Sequence, residues 1–133
     1  MKNCLYDESI IISFKYSVST KHYTIEQITK KTKEKCNDKI HYLFEKLEEL
    51  SKTKLVDFQN KPKSVGYEMI PLNQFKLKID SNIMKELKLT NDSKIIVFRF
   101  GKQNYRMFMV QSKACPALLY LIGYDWDYSA YDH

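Results

Sequence analysis

Hydrophobic positions along this chain repeat with two periods, one of two residues and one near 3.6, and the switches between them mark out its elements. Ser9 to Val18 carries Ile10, Ile11 and Ile12, then Phe14, Tyr16 and Val18, and the alternation predicts a strand buried on one face. Thr24 to Lys52 changes to helical spacing. Ile25, Ile28 and Thr32 fall on one stripe, and Ile40, Leu43, Phe44, Leu47 and Leu50 continue it. Thr24 with Gln27 makes a capping-box pattern, and Asn37-Asp38 can end one helix and cap the next. The pattern predicts two helices, about 24–35 and 38–52, with one long helix as the alternative. Its opposite face carries Lys30, Lys31, Lys33 and Lys35, then Glu45, Lys46, Glu48 and Glu49, and reads as solvated.

Leu55 to Lys63 reads as a polar connection. Gly66 to Leu77 looks extended, with Pro71 confining it to a sheet edge or a bulge. Ser81 to Leu89 predicts a short helix capped by Asp80 or Ser81. The last third is the most strongly patterned. Lys94 to Phe100 and Tyr105 to Val110 are apolar, β-branched and aromatic runs around Gly101-Lys102-Gln103-Asn104, which predicts a β-hairpin. Ala117 to Tyr124 is a third such run after Pro116. The fold class that follows is α+β: an N-terminal strand, a helix pair, then an antiparallel β-meander, with an extra strand and short helix inserted at about 55–90.

A chain of 133 residues makes one domain with a real core. Ten tyrosines and seven phenylalanines suit a sheet surface or a stacking platform. The formal net charge of +6 is compatible with nucleic acid or an acidic partner, and equally with lysines that solvate a surface. Cys4, Cys36 and Cys115 are an odd count without tight spacing, which argues against a disulfide framework and a zinc site and points to a reducing cytoplasm. No signal-peptide core or membrane-spanning run stands out.

The only two arginines, Arg99 and Arg106, flank the hairpin turn. With a four-residue loop they stand directly opposite one another on one face. Like charges so placed destabilise a sheet. Either an anion lies between them or they pair with Asp125, Asp127 or Asp132 from the tail; an odd, bulged loop would separate them.

The order strand, helix pair, meander resembles the RelE/ParE toxin superfamily. The resemblance is carried by Lys94-Ile-Ile-Val-Phe-Arg99-Phe, by Asn104-Tyr105-Arg106-Met-Phe, and by the tail Tyr124-Asp-Trp-Asp-Tyr-Ser-Ala-Tyr131-Asp-His133. It covers the layout of about two thirds of the chain and leaves residues 55–90 as an addition. It implies a toxin of a toxin–antitoxin pair. One branch of that superfamily cleaves mRNA on the ribosome without metal or cofactor, and another binds DNA gyrase and has no nuclease site. On the nuclease branch, the resemblance makes Arg106, Tyr131 and His133 the catalytic residues, with Arg99, Lys102 and Tyr105 binding substrate. The implied partners are an antitoxin protein and RNA or the ribosome, without a membrane. The chain departs from the pattern where Ile95 and Val97 replace alternating lysines and where Asp125 and Asp127 precede the terminal tyrosine in place of an arginine. A weak nuclease, an acidic variant of the site and a degenerate toxin all fit those departures, as does a non-catalytic binding protein on the same fold.

The remaining candidates have plainer readings beside them. Tyr131 and His133 are an acid/base end or a frayed terminus. His41 is a ligand or a partly buried helix histidine. Asp125-x-Asp127 is a divalent-metal pair or a polar face lacking the further oxygen ligands a metal requires. Cys115 has no base beside it in sequence and is a poor nucleophile.

Overall fold

The computed structural model describes residues 9–19, 21–29, 34–60, 67–102 and 105–131. Five strands form one mixed sheet: β1 Ile11–Ser13, β2 Tyr67–Pro71, β3 Lys94–Phe100, β4 Tyr105–Gln111 and β5 Leu118–Asp125. Their order across the sheet is β1-β5-β4-β3-β2. β2 to β5 run antiparallel as a meander, and β1 lies parallel to β5 at the far edge. Pro71 does sit on an edge strand, where a missing N–H costs no ladder bond. The α-helices among the described residues are α1 Cys36–Ser51, α2 Leu55–Gln59 and α3 Ser81–Glu86. The α+β class and the order of elements agree with the pattern of apolar residues.

Three boundaries differ. Within the first expected helix, the described residues form a 3-10 stretch, Ile25–Thr29, with no buried residue in it, and residues 30–33 lie outside the described residues. The span 55–63, read as a polar connection, opens with α2, because Leu55 and Phe58 at helical spacing both reach the core at 1% and 0% exposure. The first strand is three residues long where about ten were expected.

Both sheet faces are covered. On one, Ile96, Phe98, Tyr105, Met107 and Met109 meet Leu43 and Leu50 of α1 and Leu55 and Phe58 of α2. On the other, Ile95, Val97, Phe108 and Val110 meet Val18, Tyr23, Leu72, Leu77 and Tyr131. The alternation of side chains along β3 and β4 divides them between the two layers. Lys39 and Lys46, read as solvated or unremarked, are buried on α1. The Lys39 ammonium donates to the Ile28 carbonyl at 3.2 Å, and that of Lys46 meets Glu49 at 3.2 Å with its charge 5.4 Å from the Phe58 ring centre. Their stems cover apolar surface while the heads find partners. His41, in contrast, is exposed and pairs with Glu45 at 3.3 Å.

Cys115 is disulfide-bonded and Cys36 is free. This corrects the inference from the odd cysteine count: an odd count forbids full pairing but not one bridge. No helix among the described residues is long and apolar enough to cross a membrane.

The β3–β4 turn begins at Gly101, whose φ of +61° lies in the left-handed region. A Cβ there would meet the Tyr105 ring at 2.5 Å, so turn and ring packing both require glycine. Tyr105 belongs to an aromatic group with Phe100, Trp126 and Tyr124, the last stacked on Trp126 at 5.7 Å. Burial pushes the Tyr124 hydroxyl up to about 12. A raised folded-state pKa adds stability that is complete below pH 10 and disappears as pH rises toward 12. Urea unfolding of the wild type should therefore lose roughly 2–3 kcal/mol across that window beyond what Tyr124→Phe loses. Parallel curves for the two proteins would refute the assignment.

Candidate functional site

The hairpin register places Arg99 directly opposite Arg106, as a four-residue loop requires. Arg106 in turn stands opposite Asp125 on β5. On the other side, Arg99 pairs with Glu68 of β2. A row of four charges, acid-base-base-acid, thus crosses four strands on the face that carries Phe108 and Tyr131. Of the two readings of the facing arginines, an internal ion pair holds Arg99. Asp125, one of the expected acids, stands across the register from Arg106, and its oxygens accept from backbone N–H groups of the tail. The acid that pairs with Arg99 is Glu68, in the segment that seemed an addition to the fold.

The row is closed at one end and open at the other. Arg106 is 1% exposed and Asp125 is fully buried. The Asp125 carboxylate accepts from the backbone N–H groups of Asp127, Ser129 and Ala130 at 3.0–3.2 Å, so the chain after β5 winds around it. That winding puts Tyr128 at a φ of +65°, a strained conformation for a bulky residue. Its ring lies over the Arg106 guanidinium at 4.2 Å, where cation–π attraction offsets part of the strain. Arg99 and Glu68 lie nearer the surface, with side chains 24% and 13% exposed.

Tyr131 joins the row from the tail. It bridges to Phe75, and the Lys76 N–H donates to the Ala130 carbonyl at 2.6 Å. The phenol is held above its ordinary pKa, first by burial and then by Glu68, while Arg106 and Arg99 pull the other way. Glu68, Arg99, Arg106 and Tyr131 therefore lie within one another's electrostatic reach.

The other expected site residues are dispersed. Tyr105 is buried on the opposite face, its hydroxyl donating to Glu34. Lys102 is exposed in the turn, at a φ of +59°. His133 and Asp132 lie outside the described residues. Asp127 turns away from Asp125 to His22, at 3.0 Å, and no group of three metal-ligating side chains occurs among the described residues. Ser129, His22 and Asp127 are neighbours, yet serine and aspartate both meet the same ring nitrogen of His22, at 3.3 and 3.0 Å. A nucleophile relay needs the base on one nitrogen and the orienting acid on the other, so this trio is a clasp.

Glu68 is the residue that sequence reasoning missed. Its signal was faint: an acid among Tyr67, Met69 and Ile70 in an extended run, with two arginines unaccounted for. Comparison with protein-family models, curated proteins and solved structures yields no match.

Removing Asp125 takes away the carboxylate across the register from Arg106 and leaves three N–H groups without their acceptor. Asp125→Ala should cost on the order of 3–5 kcal/mol in urea unfolding. A loss below about 1 kcal/mol would show that the row is not what holds the tail.

Proposed function

We propose that this chain is a metal-free endoribonuclease toxin of the RelE kind, with Glu68, Arg99 and Tyr131 as its reacting groups. The observation that supports it is the gathering of a carboxylate, an arginine and a protonated phenol along the charge row, Glu68 and Arg99 partly exposed and Tyr131 buried within their electrostatic reach. These are the three groups that phosphodiester cleavage by the ribose 2′-hydroxyl requires. An RNA phosphate arriving at Arg99 competes with Glu68 for the guanidinium and frees the carboxylate. Glu68 takes the 2′-hydroxyl proton, the 2′-oxygen attacks phosphorus, and Arg99 stabilises the charge gathered on the phosphoryl oxygens. Tyr131 gives its proton to the departing 5′-oxygen. Its raised pKa keeps that proton in place at neutral pH. The products are a 2′,3′-cyclic phosphate and a 5′-hydroxyl.

In this reading Arg106 is a positioning residue that acts on Tyr131; both are buried, at 1% and 4% exposure, so the tail turn opens when RNA reaches the phenol. Lys102 adds long-range attraction for the RNA. The entailed partners are an antitoxin protein and ribosome-bound mRNA, which places the action in the cytoplasm. The disulfide at Cys115 makes it necessary to assay both with and without reductant.

Induced expression should arrest growth and yield cleaved mRNA ending in cyclic phosphate, with chelators without effect. Glu68→Gln, Arg99→Ala and Tyr131→Phe should each lower the cleavage rate about a hundredfold or more. Intact mRNA on wild-type expression, or full cleavage by Glu68→Gln, would reject this mechanism.

A further inference from the structure

The two edges of the sheet are guarded differently. β2 carries Pro71 and the inward charge of Glu68, both of which discourage a further strand. β1 carries neither. Its residues are Ile11, Ile12 and Ser13, followed by Phe14. Backbone groups alternate in direction along it. The Ile10 N–H points outward to the Thr53 carbonyl, and the Ile11 N–H points inward to that of Ala117, both at 2.9 Å. The N–H of Ile12 therefore points outward again, where no strand among the described residues pairs with β1.

Beside that edge lies an apolar cleft of about 400 Å³, lined by Ile12, Phe14, Phe44, Leu47, Glu48 and Ser51. Phe44 is 65% exposed and Phe14 57%; Ile40, one turn before Phe44 on α1, is exposed too. Three of the seven large exposed apolar side chains among the described residues thus gather about this cleft and its helix wall. Such a cluster marks a binding surface. Along the α1 wall stand Glu45 and Glu48, in a chain whose net charge is +6. Their pairs with His41 and Lys52 are exposed and so exchange readily with an incoming cation.

We infer that β1 and the cleft beside it receive a short extended peptide segment of a partner protein that carries apolar and basic side chains in turn on the face it presents to α1. The segment adds to the sheet at Ile12. It seats an apolar side chain between Phe14 and Phe44 and turns lysine or arginine toward Glu45 and Glu48. The mode is strand addition, with main-chain bonds giving affinity and the cleft giving selection. It uses the edge remote from β2 and Glu68, so it stands independently of the nuclease reading.

The test uses a fluorescein-labelled six-residue peptide with serine at alternate positions and valine, lysine and valine between them, with glutamate in place of the lysine as control. Anisotropy should show saturable binding of the lysine peptide only. Phe44→Asp, and separately Glu45→Lys with Glu48→Lys, should each weaken it at least about tenfold, while Asp92→Lys on the far side leaves it unchanged. Phe44 is exposed, so circular dichroism should show an unaltered fold, and the charge reversal gives a second reading if it does not. Hydrogen exchange should slow at the Ile12 amide when peptide is bound. Absence of binding, equal binding of both peptides, indifference to both sets of changes, or an unprotected Ile12 would each overturn the inference. So would a wild-type dimer in sedimentation that Phe44→Asp dissolves, because the occupant would then be a second copy.

Discussion

A fully buried arginine constrains this fold more than any apolar contact does. An uncompensated guanidinium in a protein interior costs several kcal/mol, so Arg106 obliges the chain to place an acid opposite it. Asp125 is the acid across the register from it, and its position at the end of β5 has consequences beyond charge. Its oxygens collect three backbone N–H groups of the following turn, and the turn then delivers Tyr128 to the guanidinium face and Tyr131 to the row's edge. One cross-strand pairing therefore sets the register of β4 against β5, the path of the tail and the location of a phenol.

The same logic explains the insertion. Two arginines face each other across β3 and β4, which is unfavourable without acids on both flanks. β5 supplies one acid. The other must come from a strand on the far side of β3, and β2 is that strand. Phe75, just beyond β2, packs edge-on against Phe108 and beside Tyr131, holding the tail over the sheet. The segment 67–77 is thereby part of the core and of the candidate site.

How much of this was legible follows from which interactions are local. The meander was, because β3, β4 and β5 are long apolar runs separated by a glycine turn and a proline. The facing arginines were, because register follows from loop length. α2 was hidden, since five residues with two core contacts make too short a pattern for periodicity to register. Glu68 was hidden for a different reason. Its partner is 31 residues away in sequence and becomes a neighbour only when β2 pairs with β3. The burial of Lys39 and Lys46 was also invisible, because a lysine's stem packs like an aliphatic chain while its letter reads as charge.

The charge row also decides how a substrate could enter. A phosphate cannot reach Arg106 without unwinding the turn around Asp125, which holds three hydrogen bonds and a stacked ring. It can reach Arg99 by displacing one carboxylate that is already 13% exposed. The two arginines are equivalent in sequence and in register, yet burial assigns one to architecture and leaves the other available for chemistry. Glu68 is the counter-ion that keeps Arg99 paired at rest. On the proposed nuclease reading it would also be the base released when an anion takes its place, so that substrate arrival and base activation would be a single exchange of partners.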